Sequence, residues 1–371
     1  YDYTPLAALT GNSGANVKVT AGGDITMLTS TIASIGGGNV EVQSGGEIDL
    51  SLGGTALAPN QASVLSYGIY TAGAGNVTVT AQKDINIDTA RIASFNGGNV
   101  FVESYHGDVN AGNGVNLDLQ IPFYHYDSGA QVGLNDQIQN PRPYGSGILA
   151  LSPSRRYQVT PGSTRNGSEL PGNITVMTPN GNIVSSQGGI AQFALNGNVA
   201  GGPTINLVAG TPGVAATPSQ GNINLGQGGV IGGTVNLTAQ GSIKGLIVSR
   251  QDTTVKAVQN VDVTVLSSGN ANVSAGGALS GTLIGVGGVN ASGAGGITAT
   301  MLSANVTAGG ASQNTLGTAS ASAASQSAAN QSSTDAKQEM AANNAENDDQ
   351  KKKAAPLTQR VKRVTVILPK S

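Results

Sequence analysis

Two sets of residues in this chain carry the chemistry to act on another molecule. The first is an acid–base set: Glu103, His106 and Asp108 close together, with His125 and Asp127 as a second pairing. Cleavage of a glycosidic linkage requires two carboxylates, or a carboxylate and a base, converging on one bond. Glu103 and Asp108 flank the turn Tyr105-His106-Gly107, and Val100 and Val102 set the inward side of the preceding run, so Glu103 is expected to point outward. At comparable offsets elsewhere Glu41 and Glu47 are acidic. A single His beside an acid does not make a hydrolytic centre, and the chain is expected to be non-enzymatic, with no catalytic residues.

The second set lies between Gly112 and Pro171. It combines Tyr124, His125, Tyr126, Tyr144 and Tyr157 with Arg142, Arg155 and Arg156, among five prolines. Aromatic faces stack on sugar rings, and guanidinium groups make planar hydrogen bonds to hydroxyl and carboxylate oxygens. Those eight residues are the expected ligand-binding set. The plainer reading is that the same side chains pack as a small satellite core.

Composition removes other chemistries. The chain has 371 residues, 55 of them Gly, with 10 % charged and 4 % aromatic residues and no Cys or Trp. Without Cys there is no disulfide framework, thiolate metal site or Cys nucleophile. A formal net charge of −2 gives no basic footprint, so no nucleic-acid partner is expected. No apolar run reaches the roughly 18 residues of a membrane helix. Gly22-Gly23-Asp24 reads as a turn, since the glycine–aspartate nonapeptide that binds calcium is not tandemly repeated here. No Gly-rich stretch carries a phosphate-binding Lys followed by a helix. No metal and no cofactor is therefore assigned.

The elements that must position these residues are repetitive. Gly-Asn-Val or Gly-Asn-Ile recurs at Gly38, Gly75, Gly98, Gly172 and Gly221. Val17 to Val40 and Val77 to Val100 are both 23 residues, and Val40 to Val77 is 37, which is one such period with a 14-residue insertion placed in Gly53–Tyr70. A second apolar position follows eight residues on, as in Val17 to Ile25 and Val235 to Ile243. Runs such as Val77-Thr78-Val79-Thr80 alternate apolar and polar residues, the signature of a strand with one buried face. Two or three short strands per coil cannot bury an inward face alone, so the coils must stack. The expected fold is all-β, a parallel β-helix of about 11 coils. Coil boundaries become irregular after Gly188. The expected organisation is β-helix coils over 1–111, an extra-helical insertion over 112–171, coils over 172–310, a linker over 311–358 and a terminal strand over 359–371.

The recurrent Asn has two readings. Asn76, Asn166, Asn173, Asn236, Asn272, Asn290, Asn305 and Asn330 head Asn-x-Ser/Thr sequons. Stacked Asn side chains also hydrogen-bond along a cross-β axis, and this structural reading is the one adopted.

The stretch GNVTVTAQKDINIDTARIASFNGGNVFVES, from Gly75 to Ser104, resembles the passenger of filamentous-haemagglutinin-type adhesins, over about residues 10–110 and 170–310. The resemblance implies a right-handed parallel β-helix exported by two-partner secretion. It also implies an outer-membrane transporter as partner, a secreted or cell-surface location on a Gram-negative bacterium, and an adhesive role. The N-terminal secretion domain of that family is not evident. The first residue is Tyr1, and the chain reads as a processed product or as the C-terminal portion of something longer.

After about Gly310 the composition turns to Ala, Ser, Asn and Gln, with too little apolar surface to offset chain entropy, so a flexible linker is expected. Arg363-Val364-Thr365-Val366-Ile367-Leu368-Pro369 then reads as a short strand stopped by Pro. Val364, Thr365, Val366, Ile367 and Leu368 are expected to add to an exposed strand edge, in self-association or through solenoid ends. The functional expectation is a surface adhesin presenting loops to glycans or to a host or neighbouring-cell surface. The alternative is the subunit of an extracellular fibre linked head-to-tail or by that strand.

Overall fold

A computed structural model describes residues 15–28, 30–34, 38–50, 68–71, 75–94, 97–112, 146–151, 170–186, 188–193, 202–214, 219–226 and 228–310. The chain divides into two units, Tyr1–Thr318 and Ala319–Ser371, and every described residue lies in the first. Among these residues there is no helix, and the strands form two long parallel sheets of 11 and 16 strands. This is a parallel β-solenoid, and the 11 strands of the first sheet mark its successive coils.

One N-terminal coil shows the rule. Val77–Ala81 forms the first wall, Ile85–Asn86 the second and Arg91–Ser94 the third. Each strand sits in register between its counterparts. Val77 lies between Val40 and Val100, Ile85 between Ile48 and Val109, and Ile92 between Ile69 and Ile148. Alternation places Val77, Val79, Ile85 and Ile92 inward, all with no exposed surface. Val, Ile and Thr suit this pleated, half-buried geometry. A single hydrophobic core runs from Met27 to Met301.

The period changes along the chain. In the first coil the inward residues Val17, Ile25, Ile32 and Val40 are separated by eight, seven and eight residues. Near Ile243 the second and third walls fuse into one strand, Ile243–Ser249. Its first part pairs with Ile223–Asn224 and its last part with Val230–Gly232. Ile223 and Val230 are seven residues apart, whereas their partners Ile243 and Ile247 are four apart. Loss of three residues thus erases the corner between two walls. The following coils have two walls and advance by 18 residues, as Thr253, Ala271 and Val289 show. Two inward sites of the first wall carry smaller side chains here: Ala271 follows Val235 and Thr253 in its row, and Ala291 follows Val255 and Val273 in its row. The expected irregularity after Gly188 is therefore corrected. The spacing lengthens briefly and then settles on a shorter, regular period.

The insertion expected over 112–171 is also corrected. Gly147–Leu151 is a strand of the third wall, paired with Arg91–Ser94 on one side and Gly189–Phe193 on the other. Ile148 and Leu151 are fully buried. Two segments, 113–145 and 152–169, flank it and lie outside the described residues. Gly147 itself is required by geometry. Its φ is +139°, and a Cβ there would stand 2.1 Å from the Gly189 carbonyl oxygen.

Candidate functional site

The acid–base candidates on the walls are engaged in structure. Glu103 faces outward beside Tyr105, and its carboxylate pushes the Tyr105 phenol above its ordinary pKa. His106 Nδ1 lies 3.3 Å from the Asn180 amide nitrogen. Asp108 accepts hydrogen bonds from the Asn182 backbone (2.8 Å) and side-chain amide (3.1 Å). Glu41 accepts from Lys18 at 2.6 Å in an exposed ion pair. These positions are spread over a turn and two walls, and Asp108 stacks on Asp84 of the preceding coil. Among the described residues no group of three or more His, Asp or Glu converges as a metal site.

Asp108 belongs to a ladder. At this corner the Oδ1 atom of one coil accepts from the backbone N–H of the next: Asp84 from Asp108, Asp108 from Asn182, Asn182 from Asn222, and Asn222 from Ser242. A second ladder links Asn16, Asn39, Asn76, Asn99 and Asn173 in the same way, ending on Thr204 N–H, with each bond 2.8–2.9 Å long. On the outer face Asn236 donates to Asn206 and Asn290 to Asn272. The stacking role expected of the recurrent Asn is what these bonds describe. Each bond of the two corner ladders satisfies a backbone donor where sheet pairing does not reach.

Chain in excess of the minimal coil enters at particular corners. From second wall to third, Ile25 to Ile32 takes seven residues, Ile48 to Ile69 takes 21 and Val109 to Ile148 takes 39. From third wall to first, Ile92 to Val100 takes eight residues, Ile148 to Ile174 takes 26 and Ile190 to Ile205 takes 15. These excesses border the third wall. From first wall to second, Ile205 to Ile223 takes 18 residues against eight from Val77 to Ile85.

The outward side of the third wall is unlike the other walls. Its outward residues Ala93, Leu149 and Ala191 are 0 %, 3 % and 4 % exposed. Arg91 is outward too, only 5 % exposed, and its row neighbours are Gly68 and Gly147. Burial lowers the guanidinium pKa to about 10, although the Tyr70 phenolate would oppose this. Burial raises the Tyr70 pKa in turn, with Arg91 and a hydrogen bond to Thr31 pulling it back. A cation with its charge withdrawn from water is held only where nearby groups compensate it. Tyr70 and Arg91 were not among the sequence candidates. The signal was present in the shared frame Gly68-Ile69-Tyr70, Arg91-Ile92-Ala93 and Gly147-Ile148-Leu149, where an inward Ile lies between two outward positions.

Tyr124, His125, Tyr126, Arg142 and Tyr144 fall in the segment before Gly147–Leu151, and Arg155, Arg156 and Tyr157 in the segment after it. All eight lie outside the described residues, as do His125 with Asp127 and the terminal residues Val364 to Leu368. The two aromatic–arginine segments thus adjoin opposite ends of one core strand, Gly147–Leu151.

No family model, curated protein or solved structure matches this chain.

Proposed function

We propose that this chain is a non-enzymatic attachment module, secreted to the surface of a Gram-negative cell, in which a solenoid holds corner segments out to glycans or other surfaces. The observation that carries this reading is the division of labour in the coil. The polar groups at the corners and on the walls, including Asp108 and Glu41, are spent on neighbouring coils. The additional chain is concentrated at the corners beside the third wall, where it does not interrupt the ladders. Such corner segments vary without disturbing stacking, which is how repeat scaffolds carry binding surfaces.

The ligand-binding set is assigned to the segments on either side of Gly147–Leu151. That strand is five residues long, so the two segments leave the wall about 16 Å apart. This separation matches a few sugar units, with rings stacked on Tyr124, Tyr126, Tyr144 and Tyr157 and oxygens held by Arg142, Arg155 and Arg156. An outer-membrane transporter remains the proposed export partner.

The test is a panel of polysaccharides and host glycans, scored for retention and for new chain ends. The variant replaces 113–145 with a short Gly-rich corner and keeps Ser146–Leu151 in place. Removing all of 112–171 would delete a core strand and mix loss of fold with loss of binding. Retention without cleavage by the full chain, lost in the variant, supports the proposal. Cleavage, or retention undiminished in the variant, refutes it.

A fibre subunit is the second reading. Inward residues stay only partly buried at both terminal coils, Val17, Val19 and Ile25 at one end and Val306 and Ala308 at the other. The two ends differ, however: one presents three short strands and the other belongs to the two-walled section. Ladders of one copy would not continue directly into those of the next. Head-to-tail linkage is therefore the weaker form of this reading, and strand addition by Val364–Leu368 the stronger.

A further inference from the structure

The outward apolar column of the third wall continues into the two-walled section. Leu149 is in register with Ala191, Ala191 with Ile231, Ile231 with Val248, and Val248 with Leu266, Ile284 and Leu302 in turn. In the three-walled section the column is buried at Ala93, Leu149 and Ala191 and half-buried at Ile231. In the two-walled section it opens: Leu266 and Leu302 are 39 % and 36 % exposed, Val248 and Ile284 are half-buried, and Val286, at the corner beyond Ile284, is 71 % exposed. Four consecutive coils thus carry a large aliphatic side chain at one outward position, exposed in two of them and half-buried in the other two. The row beside it on the same face is Thr264, Thr282 and Thr300, which carries no charge.

We propose that two copies of the chain associate side by side through this column, antiparallel, with Leu266 of each copy against Ile284 of the other. A second copy is the occupant that fits on three grounds. A straight aliphatic ridge is self-complementary under a two-fold axis, and pairs of like surfaces form the commonest oligomers. The flanking Thr row adds no repulsion, and reversing direction places Asp262 opposite Ser280 rather than opposite another acid. The column is also continuous with the stretch that the same chain already keeps out of water farther along the wall. Four coils spaced about 4.8 Å apart make a face roughly 20 Å by 20 Å. Both copies together then bury about 800 Å², below the roughly 1,200 Å² of a stable specific interface, so the association is weak and concentration-dependent. This inference does not rest on the attachment reading and survives its failure.

Sedimentation equilibrium of the full chain, from roughly 10 µM to 1 mM, reads it directly. The weight-average mass should climb from 36.7 kDa toward twice that value. Leu266→Thr with Ile284→Thr extends the neighbouring Thr row with a residue that strands favour. This pair should weaken the association at least tenfold with an unchanged far-UV spectrum. Thr78→Asp, on the first wall, should leave the climb intact. A second pair, Leu266→Ser with Ile284→Ser, repeats the test if the first unfolds. A constant mass of 36.7 kDa in the native chain overturns the proposal. So does a climb that persists in a folded double variant, which would place the contact elsewhere, at the solenoid ends or the C-terminal strand.

Discussion

The coils before Gly232 and those after Ile243 follow one grammar and build two different cross-sections. Both use an inward Val, Ile, Leu or Ala at alternate positions, a Gly-rich corner and an in-register parallel neighbour. They differ by three residues at one corner and two at another. The first section has three walls, long corner excursions and an outward column hidden from water. The second has two walls, an 18-residue advance, short corners and the same column half-buried to exposed. Corner length, more than strand sequence, sets the number of walls. The outward positions of the third wall are buried at Ala93, Leu149 and Ala191, and the same column is half-buried to exposed at Val248, Leu266, Ile284 and Leu302.

Substitutions that set matching positions of the two sections against each other give a graded series. The largest effect is expected at Gly147, where φ is +139° and a Cβ would meet the Gly189 carbonyl oxygen. Gly147→Val should cost about 4 kcal/mol or more. Thr264→Val, outward and exposed in the two-walled section, should stay within about 0.5 kcal/mol. Because solenoids unfold in parts, both are best read by hydrogen exchange of the neighbouring strands as well as by urea midpoint.

Next is the core. Ile148→Ala empties a fully buried site between Ile92 and Ile190 and should cost about 2–5 kcal/mol. Val273→Ala, in the narrower section and 2 % exposed, removes fewer atoms and should cost closer to 2 kcal/mol by the same measurement. Equal losses would contradict the smaller cross-section.

The Asn ladder should be worth less per rung. Asn99→Ala removes the acceptor of the Asn173 backbone N–H and should cost about 1 kcal/mol, with faster exchange at Asn173. Asp108→Asn keeps an acceptor for Asn182 and should change stability by less than about 0.5 kcal/mol. The smallest effect belongs to Lys18→Ala. Its ion pair with Glu41 is exposed on both sides, and its loss should fall below about 0.5 kcal/mol and vanish in high salt.

Much of the fold was legible because alternation and spacing are local. Val77-Thr78-Val79-Thr80 announces a strand, and the 23-residue interval to Val100 announces its neighbour. Two features escaped. Gly147–Leu151 reads as one apolar run with no alternation, since both of its faces are buried, and it was absorbed into the insertion around it. The two-walled coils were read as irregular because their corner is lost by deletion, and a missing corner leaves no residue to see. The acids show the limit for function. Asp108 looks like half of a catalytic pair in sequence, and only the Asn182 amides above it reveal a ladder rung. Tyr70 and Arg91 lie 21 residues apart, and only the third wall's register brings them side by side.

The change of period at constant stacking is the central claim, and disulfide trapping tests it most directly. The chain has no Cys of its own, so introduced pairs report without background. Neighbouring strands lie about 4.8 Å apart, within reach of a disulfide. Three pairs should oxidise readily: Thr78→Cys with Phe101→Cys, Phe101→Cys with Thr175→Cys across the two excursions, and Asn272→Cys with Asn290→Cys. Asn272→Cys with Gly295→Cys, which keeps the 23-residue interval of the first section, should remain reduced. Rapid oxidation of that last pair, or failure of the 18-residue pair, would contradict the two-period solenoid.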